Sequence, residues 1–166
     1  MARTDIENLT IFTDASFCPD TNAAGGALWS RTDKIFYQTS FAVEGAQSAN
    51  DAEILTACTA IDLVLGTDEY AAFFHGTSNV RIVLVTDAQS VKSALETDKH
   101  TRLRDFVLHH IHNMRQRLRL NRVLLKVNHV KGHSGQLDSR SVVNRWCDKQ
   151  AGLRMRAERA FRRGAS

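Results

Sequence analysis

The sequence predicts an α/β fold in which helices cover a single mixed β-sheet. Three strand-like segments follow one another near the N-terminus, and apolar strand segments then alternate with helical segments. No internal repeat, linker or low-complexity tract divides the 166 residues. Consecutive strands followed by alternating helices and strands are typical of a mixed sheet with helices on its faces. We therefore expect one domain that spans residues 1–166.

The first half of the chain is expected to form an antiparallel meander and then a helix. Strands are predicted over residues 8–17, 25–31 and 34–43, with turns at 22–26 and 31–33. From residue 50 to residue 65 apolar residues recur at helical spacing. Ser48 stands at the N-cap position of this helix, and Gly66 ends it.

The second half alternates strands and helices. Apolar runs predict strands over residues 80–86 and 122–130, and helical spacing predicts helices over 88–97, about 101–119 and about 140–163. A loop from Lys131 to Gly135 precedes the last helix. The predicted element order is therefore βββαβααβα.

Composition is typical of a globular protein in a reducing compartment. Hydrophobic residues make up 43% of the chain and charged residues 24%. No segment approaches the roughly 20 apolar residues of a membrane helix, and the first eight residues contain no apolar leader. The three cysteines, Cys18, Cys58 and Cys147, are odd in number and widely spaced. We expect a cytoplasmic monomer that makes no membrane contact.

The net charge is +4 and the pI is about 9.2, with most of the basic excess in the second half of the chain. Such an excess favours a polyanionic partner. Basic residues on helices are often only a solvated face, so the charge alone is a weak indication.

Four acidic residues each stand where a different predicted element ends or begins: Asp14, Glu53, Asp87 and Asp148. Asp14 and Asp87 each follow an apolar strand run. Carboxylates at the ends of buried strands are costly, and neighbouring carboxylates raise one another's pKa, unless a cation compensates them. A single Asp at such a place is often a turn or cap residue. The four together favour a site for Mg²⁺, which prefers oxygen ligands.

Five short segments occur in a fixed order over nearly the whole chain: Ile11–Ser16, Ala52–Glu53, Val85–Ser90, Val130–His133 and Asn144–Asp148. They resemble the five sequence blocks of type 1 ribonuclease H, the ribonuclease HI family. The resemblance implies a ribonuclease H-like fold with a five-stranded sheet in the order 3-2-1-4-5. It also implies a metal-dependent endonuclease that hydrolyses the RNA strand of RNA–DNA hybrids, leaving 5′-phosphate and 3′-hydroxyl ends.

The same resemblance implies a role for each matched residue. Asp14 would be shared by two Mg²⁺ ions, for which Mn²⁺ is a substitute. Glu53 and Asp87 would complete the ion nearer the attacking water, and Asp148 the other ion. His133 would relay protons, for which an imidazole with a pKa near 6.5 is suited.

Discrimination of RNA from DNA requires contacts to the 2′-hydroxyl groups. The polar residues that match family positions are the candidates for these contacts: Ser16, Asn50, Gln89 and Asn144. Ser48 matches a position that holds a phosphate of the DNA strand at a helix N-terminus. Each of these residues is also an ordinary cap or turn residue.

The chain departs from the family between Asp87 and His133, where it is too short for the basic protrusion with which some bacterial members bind hybrids. Another basic element is expected to replace that protrusion. The candidates are Arg115, Arg117 and Arg119, or the arginines between residues 154 and 163.

Two other functions fit the same carboxylates. A resolvase-like or integrase-like nuclease core shares this type of sheet and also uses acidic residues with two metals. The Lys131-Gly132-His133 segment and Gln89 after Asp87 favour ribonuclease H over it. A catalytically inactive nucleic-acid-binding module is the second alternative, and the complete set of four acids disfavours it.

Overall fold

A computed structural model describes residues 5–97, 102–131 and 139–165 of the chain. Its elements follow in the order β1 (Glu7–Cys18), β2 (Ala23–Arg31), β3 (Phe36–Ala42), α1 (Ala49–Gly66), α2 (Asp68–Gly76), β4 (Val80–Thr86), α3 (Gln89–Glu96), α4 (Asp105–Leu120), β5 (Val123–His129) and α5 (Ser139–Gly164). One five-stranded sheet has the order β3-β2-β1-β4-β5. β1 is antiparallel to β2 and parallel to β4. The expected mixed sheet and strand order are confirmed.

The two faces of the sheet are covered differently. Alternate residues of β1 and β4, such as Leu9, Ile11 and Leu84, enter a large core together with residues of α1, α3 and α4. The intervening residues Phe12 and Val85 belong to a smaller cluster with Cys147 and Ala151 of α5. Among the helices that the structure describes, none has the length and apolar character needed to cross a membrane.

The first turn differs from the sequence prediction. Residues 19–22 form the turn, in which Asn22 has a positive φ of 57°, and residues 23–26 already belong to β2. Gly25 is required by packing, because a Cβ there would lie 2.4 Å from the backbone nitrogen of Met155 and 2.5 Å from the carbonyl oxygen of Ala151. The glycine therefore lets α5 approach β2 closely.

The sequence prediction also lacks helix α2, so the observed element order is βββααβααβα. Tyr70 is the buried residue of α2, and the remainder of the helix is exposed or half-buried. Because so little of α2 is buried, its sequence carries no clear apolar stripe of the kind that identifies a helix.

The N-terminus of α1 is fixed by a hydrogen-bonded cap. The Ser48 hydroxyl accepts a bond of 3.0 Å from the Asp51 amide, which confirms the predicted N-cap. The Asp51 carboxylate accepts bonds from the amide of Gln47 at 3.0 Å and from the guanidinium of Arg104 at 2.7 and 2.9 Å. Arg104 also donates to the carbonyl of Gly45, so one side chain joins the start of α4 to the start of α1.

We expect Arg104→Ala to lower the free energy of unfolding by about 2 kcal/mol, because it leaves the buried Asp51 carboxylate without its cation. Chemical denaturation measures this difference. Arg117→Ala is the matched control. It removes a more exposed ion pair with Asp62 and is expected to cost under about 1 kcal/mol. Equal losses for the two variants would contradict the structural role of Arg104.

Two of the arginines considered for hybrid binding have contacts within the protein. Arg115 donates to the carbonyl oxygens of Leu95 and Thr97 at 2.9 and 3.0 Å, so it holds the C-terminal end of α3. Arg117 pairs with Asp62 at 2.9 Å. These contacts show that Arg115 and Arg117 also serve the packing of α4, and their selection as candidates for hybrid binding stays a prediction.

Candidate active site

Asp14 and Asp87 come together through the parallel pairing of β1 and β4. The last register pair is Phe12 with Val85, and each Asp lies two residues further along its own chain. Because side chains alternate with a period of two, Asp14 lies on the same face of the sheet as Phe12, and Asp87 lies in the bend that follows β4. β1 continues to Cys18 through its pairing with β2. Asp14 therefore lies inside a strand, whereas the apolar run before it indicated that it stands at a strand end. Asp87 directly follows β4, as expected.

Glu53 reaches the same place from α1, in which it is the fifth residue. The hydrogen-bonded cap at Ser48 sets the start of that helix, and α1 packs against β1. Each of Asp14, Glu53 and Asp87 offers a carboxylate oxygen, and these three oxygens all lie within 4.8 Å of one another. We call these three residues the carboxylate trio.

Asp148 lies within α5, where it is exposed. The preceding residue, Cys147, is buried against β1 with its sulfur 3.8 Å from the carbonyl oxygen of Phe12. This contact places Asp148 beside the trio, and its negative charge contributes to the pKa of Asp14. The fourth acid thus approaches from the α5 face of the sheet.

Burial and neighbouring negative charges raise the pKa values of Asp14 and Glu53 within the trio. Burial raises the pKa of Asp14 to about 7, and the charges of Asp87 and Asp148 add to this rise. Burial likewise raises the pKa of Glu53 to about 9, with the charges of Asp14 and Asp87 as further causes. The Oε2 atom of Glu53 is buried and has no hydrogen-bond partner among the described residues. Hard oxygen donors with raised pKa values and an unsatisfied buried oxygen fit a divalent cation.

The raised pKa values predict how the stability of the metal-free protein depends on pH. Ionisation of Glu53 is harder in the folded chain than in the unfolded chain, so the unfolded chain binds fewer protons between about pH 4.5 and pH 9. The free energy of unfolding therefore falls as the pH rises through this window. We expect Glu53→Gln to stabilise the metal-free protein by about 1–2 kcal/mol at pH 8 and to have little effect at pH 4.

Urea denaturation in chelator at the two pH values tests this expectation. Asp68→Asn, which changes an exposed carboxylate of α2, is the control and should change stability little at either pH. A Glu53→Gln variant less stable than wild type at pH 8 would show that the trio is not electrostatically strained.

The polar candidates all lie close in sequence to one of the four acids. Ser16 follows Asp14 by two residues on β1, and Asn50 lies three residues before Glu53 on α1. Gln89 opens α3 two residues after Asp87, and Asn144 lies one turn before Asp148 on α5. Ser48 is exposed at the start of α1. His133 falls outside the described residues.

A polar cavity beside Asp87 was not anticipated from the sequence. It has a volume of about 460 Å³, and its described lining includes Lys92, His129 and Arg140. A ring nitrogen of His129 lies 3.1 Å from the carbonyl oxygen of Asp87. These residues come from three different elements, and only the parallel pairing of β4 with β5 brings His129 beside the end of β4. No sequence motif carries that information.

Known structures share this fold. The N-terminal RNase H domain of a Mycobacterium tuberculosis protein aligns with a TM-score of 0.66 and 14% identity, covering 93% of this chain and 98% of that one. RNase H1 from the archaeon Halobacterium salinarum gives a TM-score of 0.62 and 16% identity, with 90% and 98% covered. The RNase H domain of a foamy virus gives 0.60 and 19%, with 91% and 94% covered.

Sequence comparison agrees with the structural likeness. A direct search among curated proteins yields no significant match. The family model for RNase H, however, matches residues 6–156, which include all four acids. The match covers most of the sequence and confirms the family that the five segments indicated. This chain therefore belongs to the ribonuclease H family of nucleases.

Proposed function

We propose that this chain is an endoribonuclease that hydrolyses the RNA strand of RNA–DNA hybrids with two divalent metal ions, leaving 5′-phosphate and 3′-hydroxyl ends. The observation that carries the proposal is the carboxylate trio, with its three oxygens within 4.8 Å of one another and Asp148 close by, in a chain of the ribonuclease H family. Family membership supports action on hybrids, and the trio supports the use of metal.

The four acids supply the donors that the metals require. Asp14 belongs to the trio and also interacts electrostatically with Asp148, so we assign it to both ions. Glu53 and Asp87 would complete one site, and Asp148 would serve the other. When bound, a pair of divalent cations activates water for attack on the scissile phosphate and stabilises the charge that develops on the departing 3′-oxygen. We propose Mg²⁺ as the ion, with Mn²⁺ as a substitute.

The protein's own residues would position the substrate around the trio. Ser16, Asn50, Gln89 and Asn144 lie near the acids in sequence, which supports a role in contacting successive 2′-hydroxyl groups. Ser48 would hold a phosphate of the DNA strand at the N-terminus of α1. We also assign to His133 the transfer of protons during product release.

A structural relative supports hybrid recognition by this fold. The foamy viral protease-reverse transcriptase has been solved in complex with an RNA/DNA hybrid, and part of it aligns with this chain at a TM-score of 0.58 and 13% identity. This chain spans 20% of that larger protein. At this identity the likeness concerns the fold, so hybrid binding by this chain is part of the proposal.

End-labelled substrates test the proposal. The protein is incubated with Mg²⁺ and an RNA–DNA hybrid, duplex RNA, duplex DNA or a four-way junction. We expect internal cleavage of the RNA strand of the hybrid alone. The downstream RNA fragments should be ligatable at their 5′ ends without prior phosphorylation. Such ligation would show that cleavage leaves a 5′-phosphate. Cleavage of the junction alone would favour a resolvase-like nuclease, and hybrid binding without cleavage would favour an inactive module; either result would overturn the proposal.

A further inference from the structure

A row of arginines continues from Asp148 along one side of α5. Arg156, Arg159 and Arg163 follow Asp148 by 8, 11 and 15 residues. At about 3.6 residues per turn these spacings place all three within an arc of roughly 80° on one side of Asp148. We call these three residues the arginine row. It lies on the flank of α5 that carries the fourth acid of the candidate active site.

The side chain of Arg156 turns back toward Asp148. A Cβ added to Gly152, one turn after Asp148, would lie 3.3 Å from the Nη1 atom of Arg156. The guanidinium therefore lies over Gly152, in space that a larger residue would occupy. Arg156 is exposed, so its charge is available to a partner in solvent.

The end of α5 is fixed to the rest of the protein, which gives the arginine row a defined position. Arg162 donates a bond of 3.0 Å to the carbonyl oxygen of Thr21 in the turn between β1 and β2. The close approach at Gly25 holds the helix about two to three turns earlier. Hydrogen bonding, chiefly to Thr21 and to a smaller extent to Arg159, lowers the pKa of the Cys18 thiol, so Arg159 lies near the end of β1. The row thus extends from the candidate active site toward the first turn of the chain.

The charge and length of the row match a nucleic-acid backbone. From residue 153 to residue 164 the helix carries five arginines and one acid, Glu158, which lies on the other side of Asp148 from the row. At 1.5 Å per residue the row reaches about 22 Å from Asp148. That length corresponds to roughly six or seven base pairs at about 3.4 Å each.

Two general explanations do not account for the row. Cations near a helix C-terminus interact favourably with the helix dipole, but this effect is confined to about the last turn and does not reach Arg156 or Arg159. The RNase H family model matches residues 6–156, so Arg159 and Arg163 lie beyond the matched segment.

We propose that Arg156, Arg159 and Arg163 bind successive backbone phosphates of the hybrid on one side of the cleavage site. This inference rests on the proposed function and adds the surface that grips the substrate. It also separates the arginine row from the other two C-terminal arginines. Arg162 anchors the helix, and Arg154 lies roughly 120° to the other side of Asp148.

Charge reversal on the two sides of α5 tests the inference. Arg156→Glu and Arg163→Glu alter the row, and Arg154→Glu is the matched control, since Arg154 is also exposed and lies on the same helix. Binding to hybrids of 10 and 24 base pairs is measured by fluorescence anisotropy in the Asp14→Asn background, over a range of salt concentrations. Steady-state cleavage of both hybrids is measured with Asp14 retained.

We expect Arg156→Glu to weaken binding to both hybrids by about 5- to 10-fold and to lower the salt slope by about one or more. Arg163→Glu should weaken binding to the longer hybrid only, because a centred 10-base-pair duplex ends before it. KM should rise with much smaller changes in kcat. Arg154→Glu should change binding less than about 2-fold.

Equal losses for Arg154→Glu and Arg156→Glu would overturn the inference, since the effect would then depend on net charge alone. Equal losses of Arg163→Glu on both lengths would overturn it as well. A different measurement tests the proposed function. Cleavage of neither hybrid by the protein with Asp14 retained would refute the enzyme assignment, and the binding measurements would still decide the role of the arginine row.

Discussion

Asp14→Asn is expected to abolish cleavage of the RNA strand, with kcat reduced at least about 10³-fold. Asp14 belongs to the trio and interacts electrostatically with Asp148, so its loss affects both proposed metal sites. The substitution keeps the shape of the side chain and removes the charge. Initial rates at saturating hybrid and Mg²⁺ measure the effect.

Asp62→Asn is the control for this change. Asp62 is a half-buried carboxylate that pairs with Arg117 at the surface between α1 and α4, outside the carboxylate trio. We expect it to retain a rate within a few-fold of wild type. Asp14→Asn should also be at least as stable as wild type in chelator, because it relieves repulsion within the trio. A folded Asp14→Asn variant that cleaves at the wild-type rate would contradict the assignment of Asp14.

Gly25→Ala is expected to destabilise the protein by about 3 kcal/mol. The added Cβ would lie 2.4 and 2.5 Å from backbone atoms of α5, and backbone cannot move aside as a flexible side chain can. Because α5 carries Asp148, the folded fraction should also lose cleavage activity. Urea denaturation and the cleavage rate under folding conditions measure the two effects.

Gly76→Ala is the matched control, because a Cβ at Gly76 meets nothing within 4 Å. We expect its free energy of unfolding to stay within about 1 kcal/mol of wild type. If Gly25→Ala were as stable and active as Gly76→Ala, the close packing of α5 on β2 would be refuted.

The sequence predicts the sheet and its acids well because their signals are local. The apolar runs before Asp14 and Asp87 identify two strands, and helical periodicity identifies α1 around Glu53. Parallel pairing of the two strands then brings their carboxylates together. These features depend on residues that are adjacent in the chain or recur at a fixed period.

The features that the sequence does not reveal depend on distant contacts. Gly25 and Gly26 have the composition of a turn, yet both belong to β2. Gly25 is needed there because α5, more than 120 residues later in the chain, packs against it without room for a Cβ. Helix α2 escaped prediction because it buries only Tyr70, so its sequence has no apolar stripe. In both places tertiary packing and exposure override the local pattern.

The basic residues show the same limitation. Composition indicates an excess of arginine but does not separate those that act within the protein from those that face solvent. Arg115 holds the end of α3, and Arg104 binds Asp51, which lies 53 positions earlier in the chain. Only the structure distinguishes these residues from Arg156, which is exposed on the flank of Asp148.

One measurement tests the central claim most directly: the rate of RNA cleavage when the same labelled RNA strand is paired with DNA or with RNA. We expect Mg²⁺-dependent internal cleavage of the RNA paired with DNA, at least about 10³-fold faster than cleavage of the RNA duplex, and loss of cleavage in chelator. Equal cleavage of both duplexes, or cleavage that persists in chelator, would contradict it.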